Sequence, residues 1–137
     1  RYGRVLGYVY VDGVLINAEI LRRGYGGLYD YGRDSYYGEL AEAEEFARLN
    51  EIGIWERSER FDCIKLVEFK TDETEKIVLS NDCGEVVGVV IKDDATHIYR
   101  ERLDEGLWEK EFSHIWNTDG DSLYVWDDLG LVVFERY

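Results

Sequence analysis

The sequence of 137 residues has no proline and no methionine, 2 cysteines, 2 histidines, and 16 basic residues against 30 acidic ones. Each shortage excludes something. Without methionine there is no initiator residue, so the chain reads as a proteolytic or trimmed product rather than a whole gene product. Cys63 and Cys83 form no Cys-x-x-Cys pair, and His97 and His114 have no second ligand at metal-binding spacing, which removes a zinc site. No stretch approaches about 18 apolar residues and no charged-then-apolar leader opens the chain, so no membrane-spanning helix is predicted. The lack of proline is unusual for a strand-rich chain but excludes nothing.

Positive charge is short mainly in one half. Residues 1–60 hold 8 basic and 11 acidic residues, a net of −3, whereas residues 61–137 hold 8 and 19, a net of −11. Nucleic-acid binding normally uses basic residues to displace counterions, so the second half is expected not to grip nucleic acid. With 45% hydrophobic and 15% aromatic residues the chain can build a packed core, as one domain or two small ones. Abundant charge without methionine suits a thermophilic or salt-adapted source.

The first half is organised around Arg1 to Gly24. Val5 to Val11 is an uncharged run of mainly β-branched and aromatic residues, which predicts a strand buried on most of both faces. Asp12-Gly13 tolerates positive φ and turns the chain. Asn17 is expected to cap the helix that follows, Ile20 and Leu21 to give it an apolar face, and Gly24 to end it in the left-handed region. Arg4 then stands at the mouth of the strand, where, read alone, it is a strand-end arginine in a surface ion pair.

Beyond this, residues 32–38 read as a loop with Asp34 or Ser35 as cap, and Glu39 to Asn50 as a helix. Leu40, Ala43, Phe46, Ala47 and Asn50 share one face, while Glu42, Glu44, Glu45 and Arg48 face water, with Glu44 and Arg48 four apart. Ile52, Ile54 and Trp55 fold back beneath, and residues 57–60 read as a polar linker.

The ordered set Tyr2-Gly3-Arg4, Asp12-Gly13, Asn17, Ile20-Leu21, Arg22 and Gly24, with Gly53-Ile54-Trp55 closing the helix, resembles the staphylococcal nuclease-like family. The resemblance covers residues 1–56 and implies part of an OB-type β-barrel with two helices. It implies that Arg4 is catalytic, one of two arginines that hold the scissile phosphate and stabilise its growing charge, a task suited to a planar fork of N–H donors. Tyr2, Tyr29 and Tyr31 become candidates for binding nucleic-acid substrate, against the plainer reading of tyrosines packed on the barrel. The family's calcium-binding aspartates, second arginine and general-base glutamate precede this segment. The parent protein is thus expected to be a calcium-dependent nuclease, while this chain binds no calcium and cuts nothing by itself. Lacking its barrel neighbours, Val5 to Val11 is expected to pair with another copy, be covered by the second half, or stay exposed and prone to aggregate.

From Phe61 the periodicity changes to two. Ile64–Phe69, Lys76–Asn81, Val86–Ile91, His97–Arg100, Ser122–Asp127 and Leu131–Arg136 read as strands, six or seven in all, of an all-β immunoglobulin-like sandwich over residues 61–137. The whole is α+β. Pairing Cys63–Phe69 with Lys76–Asn81 brings Cys63 near residue 82 or 83, and two readings stand: a Cys63–Cys83 disulfide, or two separate thiols in a half-buried sheet. Asn117, Asp119 and Asp121 have the alternate spacing of a calcium loop, but with no acidic ligand at its end a tight turn explains them better. Trp108, Trp116 and Trp126 are read as core or edge aromatics.

The strand Ile64 to Phe69, the run Lys76 to Asn81, His97-Ile98-Tyr99 and the closing stretch Ile115 to Val125 resemble the lamin tail domain, with residues 101–112 shorter than the family's middle segment. That resemblance implies attachment or partner binding rather than chemistry. The family resemblance and the feasible disulfide together point to an extracellular or cell-surface location, with the cytoplasm as the alternative. Two functions remain open: the C-terminal portion of a calcium-dependent nuclease, or a non-catalytic scaffold built on a degenerate nuclease-like barrel.

Overall fold

The computed structural model describes residues 7–29 and 34–137. The expectations for Tyr2, Arg4 and Tyr31 fall outside those residues. The chain divides into two compact units, Arg1–Trp55 and Glu56–Tyr137.

In the first unit a two-residue hairpin joins β1 (Tyr10–Val11) to β2 (Val14–Leu15), with Tyr10 opposite Leu15 and Val11 opposite Val14. Asp12 and Gly13 have φ of 50° and 82°, the double positive conformation that matches strand twist in a tight hairpin. Helix α1 (Ile16–Arg22) follows at once, then α2 (Tyr37–Leu49) and a 3-10 turn at Gly53–Trp55. The expected long buried strand is not found among the described residues. Val9, Tyr10 and Val11 are 55%, 50% and 53% exposed, because among the described residues the two-residue β2 alone pairs with the run. An apolar run predicts burial only where a neighbour covers it.

The helices pack through Leu15, Ala18, Leu21, Leu40 and Ala43, with Leu28 and Tyr36 against them. Their far ends meet backbone to backbone. Gly24, at φ 65°, ends α1 as a left-handed C-cap, with Gly24 N–H on the Leu21 carbonyl and Tyr25 N–H on that of Ile20. Gly53 also has positive φ, and Ile54 N–H donates to the Gly24 carbonyl at 2.9 Å. A Cβ on Gly24 would stand 2.0 Å from the Ile52 carbonyl oxygen, and one on Gly53 2.2 Å from that of Gly24. Both positions therefore need glycine for space as well as for φ.

The second unit is a sandwich of two antiparallel sheets. Strands β3 (Ile64–Lys70), β4 (Glu75–Asn81) and β7 (Gly106–Phe112) form one sheet in the order β3-β4-β7. Strands β5 (Val87–Lys92), β6 (Ile98–Leu103), β8 (Ser122–Trp126) and β9 (Leu131–Arg136) form the other in the order β6-β5-β8-β9. Alternate residues of both, among them Ile77, Leu79, Val89, Ile91, Leu123 and Val125, make one core. Burying each such side chain contributes about 1.5–3 kcal/mol. Trp116 belongs to that core, edge-on to Phe69 and Phe112, while Trp108 and Trp126 are half-buried.

Two sequence expectations change here. Residues 101–112 contain the whole of β7, whose Glu109-Lys110-Glu111 triplet hides the alternation. Glu109 and Glu111 are exposed, while Lys110 reaches past the sheet rim to Glu101 and lies over the Tyr99 ring. Residues 57–60 are built into the second unit rather than linking to it. Ser58 N–H donates to the Leu131 carbonyl, Leu131 N–H to that of Glu56, and Arg60 pairs with Glu85, Asp127 and Asp128. A polar segment of this kind reads as solvated until its carboxylate partners, distant in sequence, are known.

Cys63 and Cys83 are disulfide-bonded across a separation of 20 residues, beside the Ile64 and Asn81 pair that starts the β3-β4 ladder. A loop of that length constrains the unfolded chain by about 3 kcal/mol. Replacing both cysteines with serine is expected to lower urea stability of the second unit by about that amount, and thiol titration of the unfolded, unreduced protein should find no free thiol. Separately, Gly24→Ala is expected to destabilise the first unit by more than about 1 kcal/mol, seen as an earlier loss of helical circular dichroism. An unchanged helical transition would contradict the backbone contact.

Candidate functional site

Residues 7–9 are held by side chains of the first unit. Asn17 does not cap α1: the cap position is Leu15, without a side-chain bond. Instead the Asn17 Oδ1 accepts the Val9 N–H at 2.9 Å and its Nδ2 donates to the Gly7 carbonyl at 3.4 Å. The Ile16 N–H, free at the helix start, donates to the Val9 carbonyl at 2.8 Å. Asn17 thus pairs with extended backbone that finds little ladder elsewhere, and it joins the segment leading from Arg4 to the helix.

Tyrosines gather on that segment. The Tyr8 hydroxyl donates to Asp34, and the Tyr8 and Tyr36 rings lie 4.1 Å apart, with Tyr10 6.4 Å from Tyr36. Asp34 also accepts the Tyr36 N–H at 2.9 Å as the chain enters α2, so it turns the backbone there without capping the helix by side chain. The bond from Tyr8, then that from the Tyr36 backbone, hold the Asp34 carboxyl below its ordinary range. The hydrogen bond with Tyr36, then burial, push the Tyr10 phenol up to about 12.

Tyr29 is 37% exposed. Its neighbour Leu28 donates its N–H to the Glu44 carboxylate at 2.6 Å. Glu44 is therefore no solvated face: it is 4% exposed and anchors the chain just before Tyr29. Phe46, expected on the apolar face, is instead 44% exposed beneath the Arg22 guanidinium, and Arg48 pairs with Glu45 at 3.8 Å. Sequence reasoning missed Tyr8, Tyr10 and Tyr36, and gave Asp34 only a capping role. The alternation of Tyr8 and Tyr10 along an extended segment was the available signal.

In the second unit Asp121 behaves as a turn residue. It accepts the N–H groups of Asp94, Asn117 and Ser122 and the Asn117 side-chain amide, at 2.8 to 3.1 Å, while Asp119 is exposed. Among the described residues no group of three or more His, Cys, Asp or Glu could hold a metal ion. His97 faces Asp93, and His114 faces Ser113. Asp94 accepts the hydroxyls of Ser122 and Tyr124 at 2.9 Å, with Arg136 at 3.9 Å. Burial raises its carboxyl despite these partners. Burial also works to raise Asp127, but bonds from Ser58, the Leu129 N–H, Arg60 and the Gly130 N–H outweigh it and leave that carboxyl below its ordinary 3.8.

Residues 1–57 match the family model described as staphylococcal nuclease homologue, which relates the first unit to that nuclease family. No curated protein and no solved structure matches the chain.

Two titrations check these environments. Alkaline absorbance titration should show a component with a midpoint near 12, and Tyr36→Phe should bring the Tyr10 phenol back toward 10.0. At the acid end, an Asp127 carboxyl below 3.8 favours the folded state above its unfolded value and loses that contribution as pH falls through the lower folded value. Asp127→Asn should therefore flatten the decline of urea stability on acidification; an unaltered acid limb would contradict the assigned bonds.

Proposed function

We propose that the first unit is the phosphate-binding part of a calcium-dependent nuclease and that Arg4 holds the scissile phosphate in hydrolysis of DNA or RNA. The match of the nuclease family model to residues 1–57 carries this reading, since it spans Tyr2-Gly3-Arg4 through Trp55. The structural support is positional. Asn17, the Asp12-Gly13 turn and the contact between Gly24 and Gly53 give residues 7–24 a defined course. The arginine guanidinium can present two parallel N–H donors to a phosphate and gain as charge grows on the equatorial oxygens. Tyr2, Tyr29 and Tyr31 would then line the substrate strand, with Tyr29 placed through the bond between Leu28 and Glu44.

Calcium does not fit the described residues, which offer no group of three or more candidate ligands. On this reading its aspartates, and the glutamate base, come from elsewhere in the parent protein. No step of the reaction is assigned to calcium through this chain. The second unit is taken as a lamin-tail-like, immunoglobulin-like module for attachment to a protein or surface, and the Cys63–Cys83 bond favours an extracellular or cell-surface setting over the cytoplasm. The exposed Val9 to Val11 segment would pair with a further strand, of the parent domain or of a second copy.

A second reading, a non-catalytic scaffold on a degenerate nuclease-like domain, is favoured only by that lack of ligands. The deciding experiment is cleavage of a labelled oligonucleotide with added calcium by the protein at its full natural length. Arg4→Gln should lower the cleavage rate by about 10²–10³. Equal rates would remove Arg4 from the chemistry, and no cleavage by the parent would favour the scaffold.

A further inference from the structure

The outer face of the sheet β6-β5-β8-β9 differs in charge from the rest of the chain. Along each strand the core residues alternate with those of the opposite face. That outer face carries the cations Lys92, Arg100, Arg102 and Arg136, the half-buried rings of Trp126 and Phe134 and the buried ring of Tyr124. Its other positions in the ladder, Gly88, Val90, Ile98, Ser122 and Leu131, are uncharged. No carboxylate occupies an outward ladder position of these strands, in a chain with 30 acidic residues against 16 basic ones.

The opposite sheet shows that the pattern is not general. Its outer face mixes Lys65, Lys70 and Lys76 with Glu68, Glu109 and Glu111, and Lys76 pairs with Glu68 at 2.6 Å. By contrast Arg100 and Arg102 are exposed on edge strand β6 and make no ion pair with any described residue. Lys92 spends its donors on the carbonyls of Asp93 and Ala95. Across the ladder Arg100 stands beside Val90, and Val90 beside Trp126. Half-buried Trp126 lies parallel to Tyr124, centroids 5.1 Å and planes 5° apart, and Tyr124 adjoins Phe134 at 5.2 Å.

We propose that this face binds single-stranded nucleic acid, with phosphates along Arg100 and Arg102 and bases laid across Val90 toward Trp126. Strands about 4.8 Å apart separate Arg100 from Trp126 by roughly 10 Å, so a phosphate row and a base row can run side by side. Guanidinium forks suit phosphate oxygens, and aromatic rings on a sheet suit unstacked bases, which a duplex does not offer. Net charge opposes the encounter at a distance. At physiological salt, however, fields fade over about 8 Å, so the exposed pair Arg100 and Arg102 governs contact on the β6 side, while the Asp94 carboxylate meets this face at Ser122, Tyr124 and Arg136. The choice of nucleic acid over an acidic protein segment rests on the nuclease reading of the first unit, which supplies the substrate class.

The test is fluorescence anisotropy of a labelled oligothymidylate with the 137-residue protein in a chelator, so that cleavage plays no part. Binding is expected, weakened at least tenfold in R100E/R102E, and unchanged in K65E/K70E on the other sheet. With R100A/R102A, the slope of log affinity against log salt should fall by about 1.4, two phosphates at about 0.7 each. Trp126→Ala should weaken binding about fivefold or more; if it fails to fold, the exposed arginines carry the test alone. No binding, equal binding by R100E/R102E, or displacement by polyglutamate as effective as by unlabelled oligonucleotide would overturn the proposal. Arg4→Gln should leave this binding intact. Loss of the nuclease reading in the cleavage assay and loss of this one are thereby separately visible.

Discussion

Among the described residues the most deeply buried carboxylates are those toward which backbone N–H groups turn, and the loops are shaped by that requirement. Glu44 receives Leu28; Glu75 receives Ile115 and Trp116; Asp93 receives His97; Asp121 receives Asp94, Asn117 and Ser122; Asp127 receives Leu129 and Gly130; Asp94, less deeply buried, is met instead by the hydroxyls of Ser122 and Tyr124. An ionised group in the interior costs several kcal/mol unless it is bonded, and an orphaned N–H costs as well. Each pairing settles both debts. Such a carboxylate fixes a loop more tightly than an apolar contact does, because its directions are set.

The first unit shows why some of this was legible and some was not. Glycine, the Asp-Gly turn and the helix end are local matters, decided by φ and by residues a few positions apart, and Asp12-Gly13 and Gly24 occupy the conformations their types suggest. Asn17 was misread because a helix cap and a bond to a neighbouring segment use the same oxygen, and only the position of Val9 decides between them. Glu44 was misread for a similar reason. Helical periodicity places it beside solvent, yet Leu28 brings its backbone N–H to it. In the candidate site, the Tyr8, Tyr10 and Asp34 cluster depends on Tyr36, supplied from beyond a loop, so no single window of sequence contains it.

In the second unit alternation gave β3, β4, β8 and β9 closely, since their inner faces are apolar and successive. It failed at β7, where an edge strand may be charged at three consecutive positions provided the inward one reaches the rim, as Lys110 does. Residues 57–60 failed for the opposite reason. Their polarity was real, but Arg60 meets Asp127, whose side chain is 0% exposed, and Gly130 lets Glu56 pass where a Cβ would stand 2.5 Å from its carbonyl oxygen. Contacts of that kind link positions some 67 residues apart.

Net charge, like periodicity, is an average. A total of −14 describes the field far from the protein, where every group counts. Near the surface only the nearest groups matter, and sheet geometry sorts those by parity. Along β6 the sequence Ile-Tyr-Arg-Glu-Arg-Leu has one carboxylate, Glu101, and parity sends it to the side of Lys110, leaving Arg100 and Arg102 together on the other. A shift of one residue in that strand would exchange the faces, so the register with β5, from Val87 opposite Leu103 to Lys92 opposite Ile98, is what gives an acidic module a basic side. The core residues Leu103 and Val87, by fixing that register, therefore decide which charge a ligand meets.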